Sequence, residues 1–229
     1  LQGVPIVVAI RERTRFSRQL LERLPDLEFI AQTGNHAYHI DMQAASELGV
    51  AVGLLPGADG GAVGTAELTI ALILGVLRHV GRYDRLLHQG GWELPYGRVL
   101  AGMTVGLVGA GKIAQAVARR LQGFDVQLLA WSPTLTPERA AAMGARAVGL
   151  EELFRTSDVV SVHLPLKPET RGFVSARLLD LMKPGSVLIN TSRGAIVDEA
   201  HLVRLLQQGR LGGAGLDVFV EEPLPPEHP

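Results

Sequence analysis

Short apolar runs alternate with amphipathic stretches along almost the whole chain, and this alternation limits the folds open to it. The runs cover residues 4–10, 27–31, 50–52, 104–109, 126–131, 158–162, 187–190 and 212–217. Helical patterns lie between them, at 16–24, 41–48, 65–87, 112–121, 137–143, 175–181 and 198–208. Such an order predicts an α/β protein whose parallel sheets are built from βαβ units. The runs are apolar throughout, as expected of strands covered by helices on both faces. The stretch 65–87 is long for one helix, and a turn-rich segment from Gln89 to Pro95 follows it. The main boundary therefore falls around that helix. A small lobe is expected over 1–64, an interdomain helix and linker over 65–97, and a second domain over 98–229.

The second domain opens with a strand that runs into Gly109-Ala110-Gly111-Lys112-Ile113-Ala114 and then into a helix. This is the G-x-G-x-x-G/A turn in its strand–turn–helix setting, and it predicts a dinucleotide site. Gly109 permits the tight turn, Gly111 lets the backbone approach a pyrophosphate, and Ala114 allows close helix–strand packing. The helix start at Lys112 and Ile113 offers N–H groups and a positive dipole end to phosphate. An earlier glycine-rich run, 56–64, lacks the Lys-Ser/Thr ending of a nucleoside triphosphate loop, so it reads mainly as a connection into the long helix, with lining of the cleft as the alternative. Where an acidic residue usually receives the ribose 2′-hydroxyl, this chain has Ser132. Serine does not repel a 2′-phosphate, and the nearest following arginine is Arg139, so both NAD and NADP stay open.

Composition closes off several other classes. The 229 residues hold no cysteine, which excludes disulfides, thiol nucleophiles and cysteine metal sites. The formal net charge is −1, and no basic run marks a nucleic-acid surface. The longest apolar stretch, 68–77, falls short of the ~20 residues that a membrane span requires. Cytoplasmic residence is expected, with no membrane partner. The histidines form no metal-ligand constellation with acids, so no metal is expected.

Three further segments carry a family resemblance. They are Asp158-Val159-Val160-Ser161-Val162-His163-Leu164-Pro165-Leu166-Lys167-Pro168-Glu169-Thr170, the run from Met182 to Asp198 containing Asn190-Thr191-Ser192-Arg193-Gly194, and Gly212-Gly213-Ala214-Gly215-Leu216-Asp217-Val218-Phe219-Val220-Glu221-Glu222-Pro223. In this order, after the glycine turn, the chain resembles the D-isomer-specific 2-hydroxyacid dehydrogenase family, with its phosphoglycerate dehydrogenase and hydroxypyruvate/glyoxylate reductase branches. The resemblance implies a Rossmann-type doubly wound parallel sheet and a smaller flavodoxin-like substrate lobe, incomplete in this chain. It implies an oxidoreductase moving a hydride between NAD(P)(H) and C2 of a small 2-oxo or 2-hydroxy acid, with NAD the family default.

By the same resemblance, Arg193 matches the catalytic arginine that grips the substrate carboxylate and polarises its carbonyl. A guanidinium is always charged and holds a planar carboxylate through two hydrogen bonds. Glu222 matches the acid that orients a catalytic histidine and raises its pKa. Leu164, Pro165 and Thr170 match the wall around the adenosine. Thr191 and Ser192 match cofactor contacts leading to Arg193, and Asp217 matches the contact at the nicotinamide end of the cofactor. Asn35 and His36 fall in the loop matching the substrate-carboxylate site, where His36 replaces a glycine usual in the family. The catalytic histidine should lie well downstream of Glu222, but only seven residues follow it, and His228 among them is too near. The expectation is a partial chain whose histidine lies beyond residue 229 and which lacks the family's first strand and helix. A homodimer is a further family expectation. Two alternatives stand beside this reading: an NADP-preferring hydroxypyruvate or glyoxylate reductase, and a non-catalytic NAD(H)-sensing protein of the same fold.

Overall fold

The computed structural model describes residues 3–10, 14–34, 37–55, 59–92 and 96–229, with Asp59 and Gly60 as backbone only. The chain divides into two compact units, Leu1–Gly61 and Ala62–Pro229.

The smaller unit is a parallel three-stranded sheet of β1 (Ile6–Ala9), β2 (Phe29–Gln32) and β3 (Ala51–Leu54), in that spatial order. Two short helices, α1 (Arg18–Leu21) and α2 (Met42–Glu47), connect the strands. Each helix starts on a side-chain cap that accepts a backbone N–H, Ser17 from Leu20 and Asp41 from Ala44. Phe16, Leu21, Ile30, Ile40, Ala44 and Val50 are buried as one core. Ile6 and Val8 are exposed, whereas Ala9 is buried and Val7 packs against the core. The apolar run 4–10 is therefore not covered on both faces: successive strand side chains point to opposite sides, and only one side meets the core.

The larger unit begins on α3 (Asp59–Leu77) and α4 (Val80–His88). The stretch 65–87 is thus two helices, whose axes differ by 63°. His79 between them is left-handed, with φ 55°. There the chain returns across the end of α3: the Arg98 N–H donates to the Leu77 carbonyl at 2.9 Å, and a Cβ on Gly97 would stand 2.8 Å from that oxygen. A carbonyl that a straight helix would use itself is satisfied from outside, so the axis can turn. Among the described residues no single helix is long and apolar enough to cross a membrane.

A parallel six-stranded sheet follows. Its strands are β4 (Thr104–Val108), β5 (Gln127–Trp131), β6 (Arg146–Ala147), β7 (Val159–Val162), β8 (Val187–Asn190) and β9 (Gly213–Leu216). The connecting helices are α5 (Lys112–Leu121), α6 (Pro137–Ala142), α7 (Leu150–Thr156), α8 (Ala176–Leu181) and α9 (Glu199–Gln207). The spatial order is β6-β5-β4-β7-β8-β9, so the winding reverses between β4 and β7. This is the doubly wound dinucleotide-binding order, and ligands bind such sheets at the carboxyl ends of the strands around the reversal. Strands β7 and β8 are buried at every position, as their continuous apolarity requires. One face packs Val105, Leu107, Val159 and Ile189 against α3 and α5. The other packs Val160, Val162 and Leu188 against α7, α8 and α9. Helix α3 lies unusually close to β9: a Cβ on Gly213 would meet Val76 Cγ1 at 2.5 Å, and one on Gly215 would meet Leu72 Cβ at 2.9 Å.

Candidate active site

The glycine turn stands where β4 ends. Gly109 has φ +112°, and a Cβ there would lie 2.5 Å from the His163 carbonyl oxygen. Conformation and contact each require glycine. Gly111 caps α5 in extended conformation with no side-chain hydrogen bond, and nothing lies within 4 Å of where its Cβ would be. The helix therefore starts without a side-chain cap, next to open space, with Lys112 and Ile113 in its first turn. Ala114 is fully buried under it. An uncapped helix start at the reversal point fits a pyrophosphate.

The neighbouring strand ends complete this edge. Ser132 follows β5 and is partly buried. Its carbonyl accepts the Leu135 N–H at 3.1 Å, and Arg139 Nη1 donates to the Thr134 carbonyl at 2.8 Å. At the end of β7 the His163 imidazole shares a 2.9 Å hydrogen bond with Ser161 Oγ. Burial pushes its pKa down to about 4, so the ring is neutral near pH 7. Leu164 is buried in the core beside it. The Thr170 hydroxyl donates to the Pro165 carbonyl at 2.6 Å and accepts the Lys167 N–H at 2.7 Å, which fixes the loop after β7.

Arg193 lies three residues past the end of β8 and is partly buried; its Nη1 donates to the Ser192 carbonyl at 2.7 Å. The loop is organised by Asn190, which is 1% exposed. Asn190 Oδ1 accepts both the Ser192 N–H (3.0 Å) and hydroxyl (2.6 Å), and its Nδ2 donates to the Arg193 carbonyl at 3.0 Å. The backbone of Asn190 also receives the Asp217 N–H at 3.1 Å, which ties the ends of β8 and β9 together. A Cβ on Gly194 would lie 2.0 Å from the Phe219 carbonyl carbon. The Arg193 loop and the loop carrying Glu222 are thus in contact. Asp217 is exposed at the end of β9. Glu222 Oε1 accepts the Phe219 N–H at 3.1 Å. His228 does not pair with Glu222: its Nε2 lies 3.3 Å from Glu199 Oε1, while Glu199 Oε2 accepts the Val220 N–H.

The expected site residues from Gly109 to Glu222 therefore stand on loops at one edge of the larger sheet. Asn35 and His36 lie outside the described residues. Reading the sequence missed Asn190 as the organiser of the arginine loop, although its place between an apolar strand and Thr-Ser-Arg-Gly was visible. It also missed Thr69, whose hydroxyl meets that of Thr191 at 3.0 Å. Among the described residues no group of three or more His, Cys, Asp or Glu could hold a metal ion.

Comparison with known proteins agrees with this geometry. Residues 70–229 match the model of the D-isomer specific 2-hydroxyacid dehydrogenase NAD binding domain. The chain is 40% identical over 220 residues to a glyoxylate reductase of Thermococcus litoralis, covering 91% of this chain and 65% of that protein. It is 34% identical over 224 residues to a D-3-phosphoglycerate dehydrogenase of Archaeoglobus fulgidus, covering 97% of this chain and 42% of that one. The chain thus spans less than two thirds of the length of these relatives. Among solved structures, a phosphoglycerate oxidoreductase from Vibrio cholerae superimposes with TM-score 0.89 at 37% identity, over 98% of this chain and 72% of that one. The D-lactate dehydrogenase of Escherichia coli gives TM-score 0.85 at 33% identity, over 97% and 70%. The strand order, the turn and these matches together place the chain in the D-isomer specific 2-hydroxyacid dehydrogenase family.

Proposed function

We propose that the protein is an NAD(H)-linked dehydrogenase acting at C2 of a small D-2-hydroxy or 2-oxo acid. The observation that carries this reading is the shared edge of one sheet: the uncapped turn at Gly109–Gly111 stands at the winding reversal, and the braced loop of Arg193 follows β8, two strands from β4, at the same edge. Gly109, Gly111, Lys112 and Ile113 would hold the pyrophosphate, Ser132 the adenosine ribose, and Leu164, Pro165 and Thr170 the adenosine wall. Thr191, Ser192 and Asp217 would hold the nicotinamide end. When bound, the dinucleotide supplies or accepts the hydride exchanged with C2. Arg193 binds the acid's carboxylate and draws electron density from its carbonyl; Asn35 and His36, which the resemblance assigns to the substrate, lie outside the described residues. Positioning and fixed charge are the means of rate enhancement. Glu222 uses Oε1 on the Phe219 N–H, which leaves Oε2 to orient the imidazole that exchanges the proton. A cytoplasmic homodimer is the assembly proposed with this activity.

The test is a substrate panel of glyoxylate, hydroxypyruvate, pyruvate and phosphohydroxypyruvate, run on the full-length protein with NADH and with NADPH. Turnover of at least one acid is expected, and Arg193→Ala should lower kcat/KM by about 10²-fold or more. Near-normal turnover in that variant would remove Arg193 from the mechanism. Tight NAD(H) binding with no turnover of any acid would favour a sensing role instead. Ser132 in place of an acid supports a second reading, an NADP-preferring reductase of hydroxypyruvate or glyoxylate, which the ratio of the two cofactor efficiencies decides.

A further inference from the structure

Thr69 lies on α3, 122 positions before Thr191, and its side chain is completely buried. Its hydroxyl donates to the Thr65 carbonyl one turn back, at 2.8 Å. A hydroxyl has one proton, so the 3.0 Å contact with Thr191 Oγ1 must use the Thr191 proton. The bond therefore runs from Thr191 to Thr69 to the helix carbonyl. Thr69 is satisfied by its own helix. The partner that gains is Thr191, which is 3% exposed and starts the arginine loop.

We propose that Thr69 is a positioning residue for Arg193, acting through Thr191. The inference rests on the reading of Arg193 as the ligand of the substrate carboxylate. Arg193 Nη1 is held by the carbonyl of Ser192, the residue directly after Thr191. Asn190 pins this loop at the Ser192 N–H and the Arg193 carbonyl. Thr69 pins the remaining residue, Thr191, from the helix side. The anchor is firm because α3 is set against β9 one and two turns further on, where Gly215 and Gly213 admit Leu72 and Val76. Loss of the Thr69 hydroxyl leaves that of Thr191 buried without its acceptor, and the loop must shift to satisfy it.

The experiment uses the full-length protein and the variants Thr69→Val, Thr69→Ala and Thr69→Ser, each also made with Arg193→Lys. Thr69→Val and Thr69→Ala should lower kcat/KM for the best 2-oxo acid by about 10-fold or more. They should weaken oxalate binding to the NADH complex in parallel, measured by calorimetry. Thr69→Ser should restore both. NADH affinity should fall less than oxalate affinity, since the turn at Gly109 is untouched and only the contacts at Thr191 and Ser192 are disturbed. With Arg193→Lys present, removing the Thr69 hydroxyl should cost much less, because the group it positions is already altered. The inference is overturned if Thr69→Val and Thr69→Ala keep wild-type turnover and oxalate affinity while Arg193→Lys loses them. It is also overturned if their loss is equally large in both backgrounds, which marks a general effect on the fold. Normal turnover and oxalate binding in Arg193→Lys and Arg193→Ala would instead refute the role of Arg193, and this inference with it.

Discussion

Gly194 and Phe219 stand so close that a side-chain carbon on the glycine would lie 2.0 Å from the carbonyl carbon of the phenylalanine. One belongs to the arginine loop, the other to the loop that holds Glu222. Backbone on both sides cannot yield as a flexible side chain would, so Gly194→Ala must drive the loops apart. The variant should be destabilised by about 1–3 kcal/mol, the usual range for overpacking. Its kcat/KM should fall further than stability alone explains. Urea unfolding alongside steady-state kinetics checks both, and a wild-type midpoint with wild-type turnover would contradict the contact.

Ser132→Asp should turn the cofactor preference towards NADH. An aspartate at the end of β5 accepts hydrogen bonds from ribose hydroxyls and repels a 2′-phosphate. Like charges brought together disfavour the wrong partner strongly, so the NADH/NADPH ratio of kcat/KM should rise by about 10-fold or more. An unchanged ratio would mean that the ribose does not reach this residue. Arg139, fastened to Thr134 of the same loop, would then become the group to vary.

The partly buried His163 makes stability depend on pH in a defined window. Its folded pKa is pushed down to about 4, from an ordinary value of 6.5. Above pH 6.5 the ring is neutral in both folded and unfolded chains, and its full contribution is present. As pH falls from 6.5 towards 4 the unfolded chain takes up a proton that the folded chain refuses, so stability is lost. The part owed to this residue is about 2 kcal/mol between pH 8 and pH 5. Chemical denaturation at those two pH values should show it, and His163→Gln should flatten that part of the slope. A slope unchanged in the variant would place the loss on other groups.

Much of this architecture could be read from residue order because long-range packing and local pattern agree. Strands β7 and β8 are apolar at nearly every position, and α5 begins and ends on the residues that periodicity assigns to it. The departures have identifiable causes. Strand β6, Arg146–Ala147, is two residues long with an exposed arginine, and it exists because β5 offers an edge to pair with. Helix α7 carried a signal that was passed over: Gly149 before Leu150, then buried Leu153 and Phe154 on one face. The turn between α3 and α4 has no proline or glycine at His79, because its cause is the chain returning at Gly97 and Arg98. The Thr69–Thr191 contact joins residues far apart in the chain, and nothing in either neighbourhood marks its partner. The proposed site residues rest on motif positions. The bracing supplied by Asn190 was not legible in them, because a hydrogen-bond pattern is a property of folded geometry.

At the opposite edge of the large sheet, Asp158 stands just before β7 with its carboxylate on Lys183 Nζ (2.8 Å) and on the Thr104 N–H (2.8 Å). Burial pushes the pKa of this group up, but the lysine, the backbone donor and nearby Arg98 outweigh it and hold the carboxyl below its usual range. A strand of five residues separates this clamp from Gly109, roughly 15 Å of extended chain. This clamp and the proposed reaction site thus lie at opposite poles of one slab. Lineages or engineers altering heat tolerance have a region in which to work that stands apart from the proposed site.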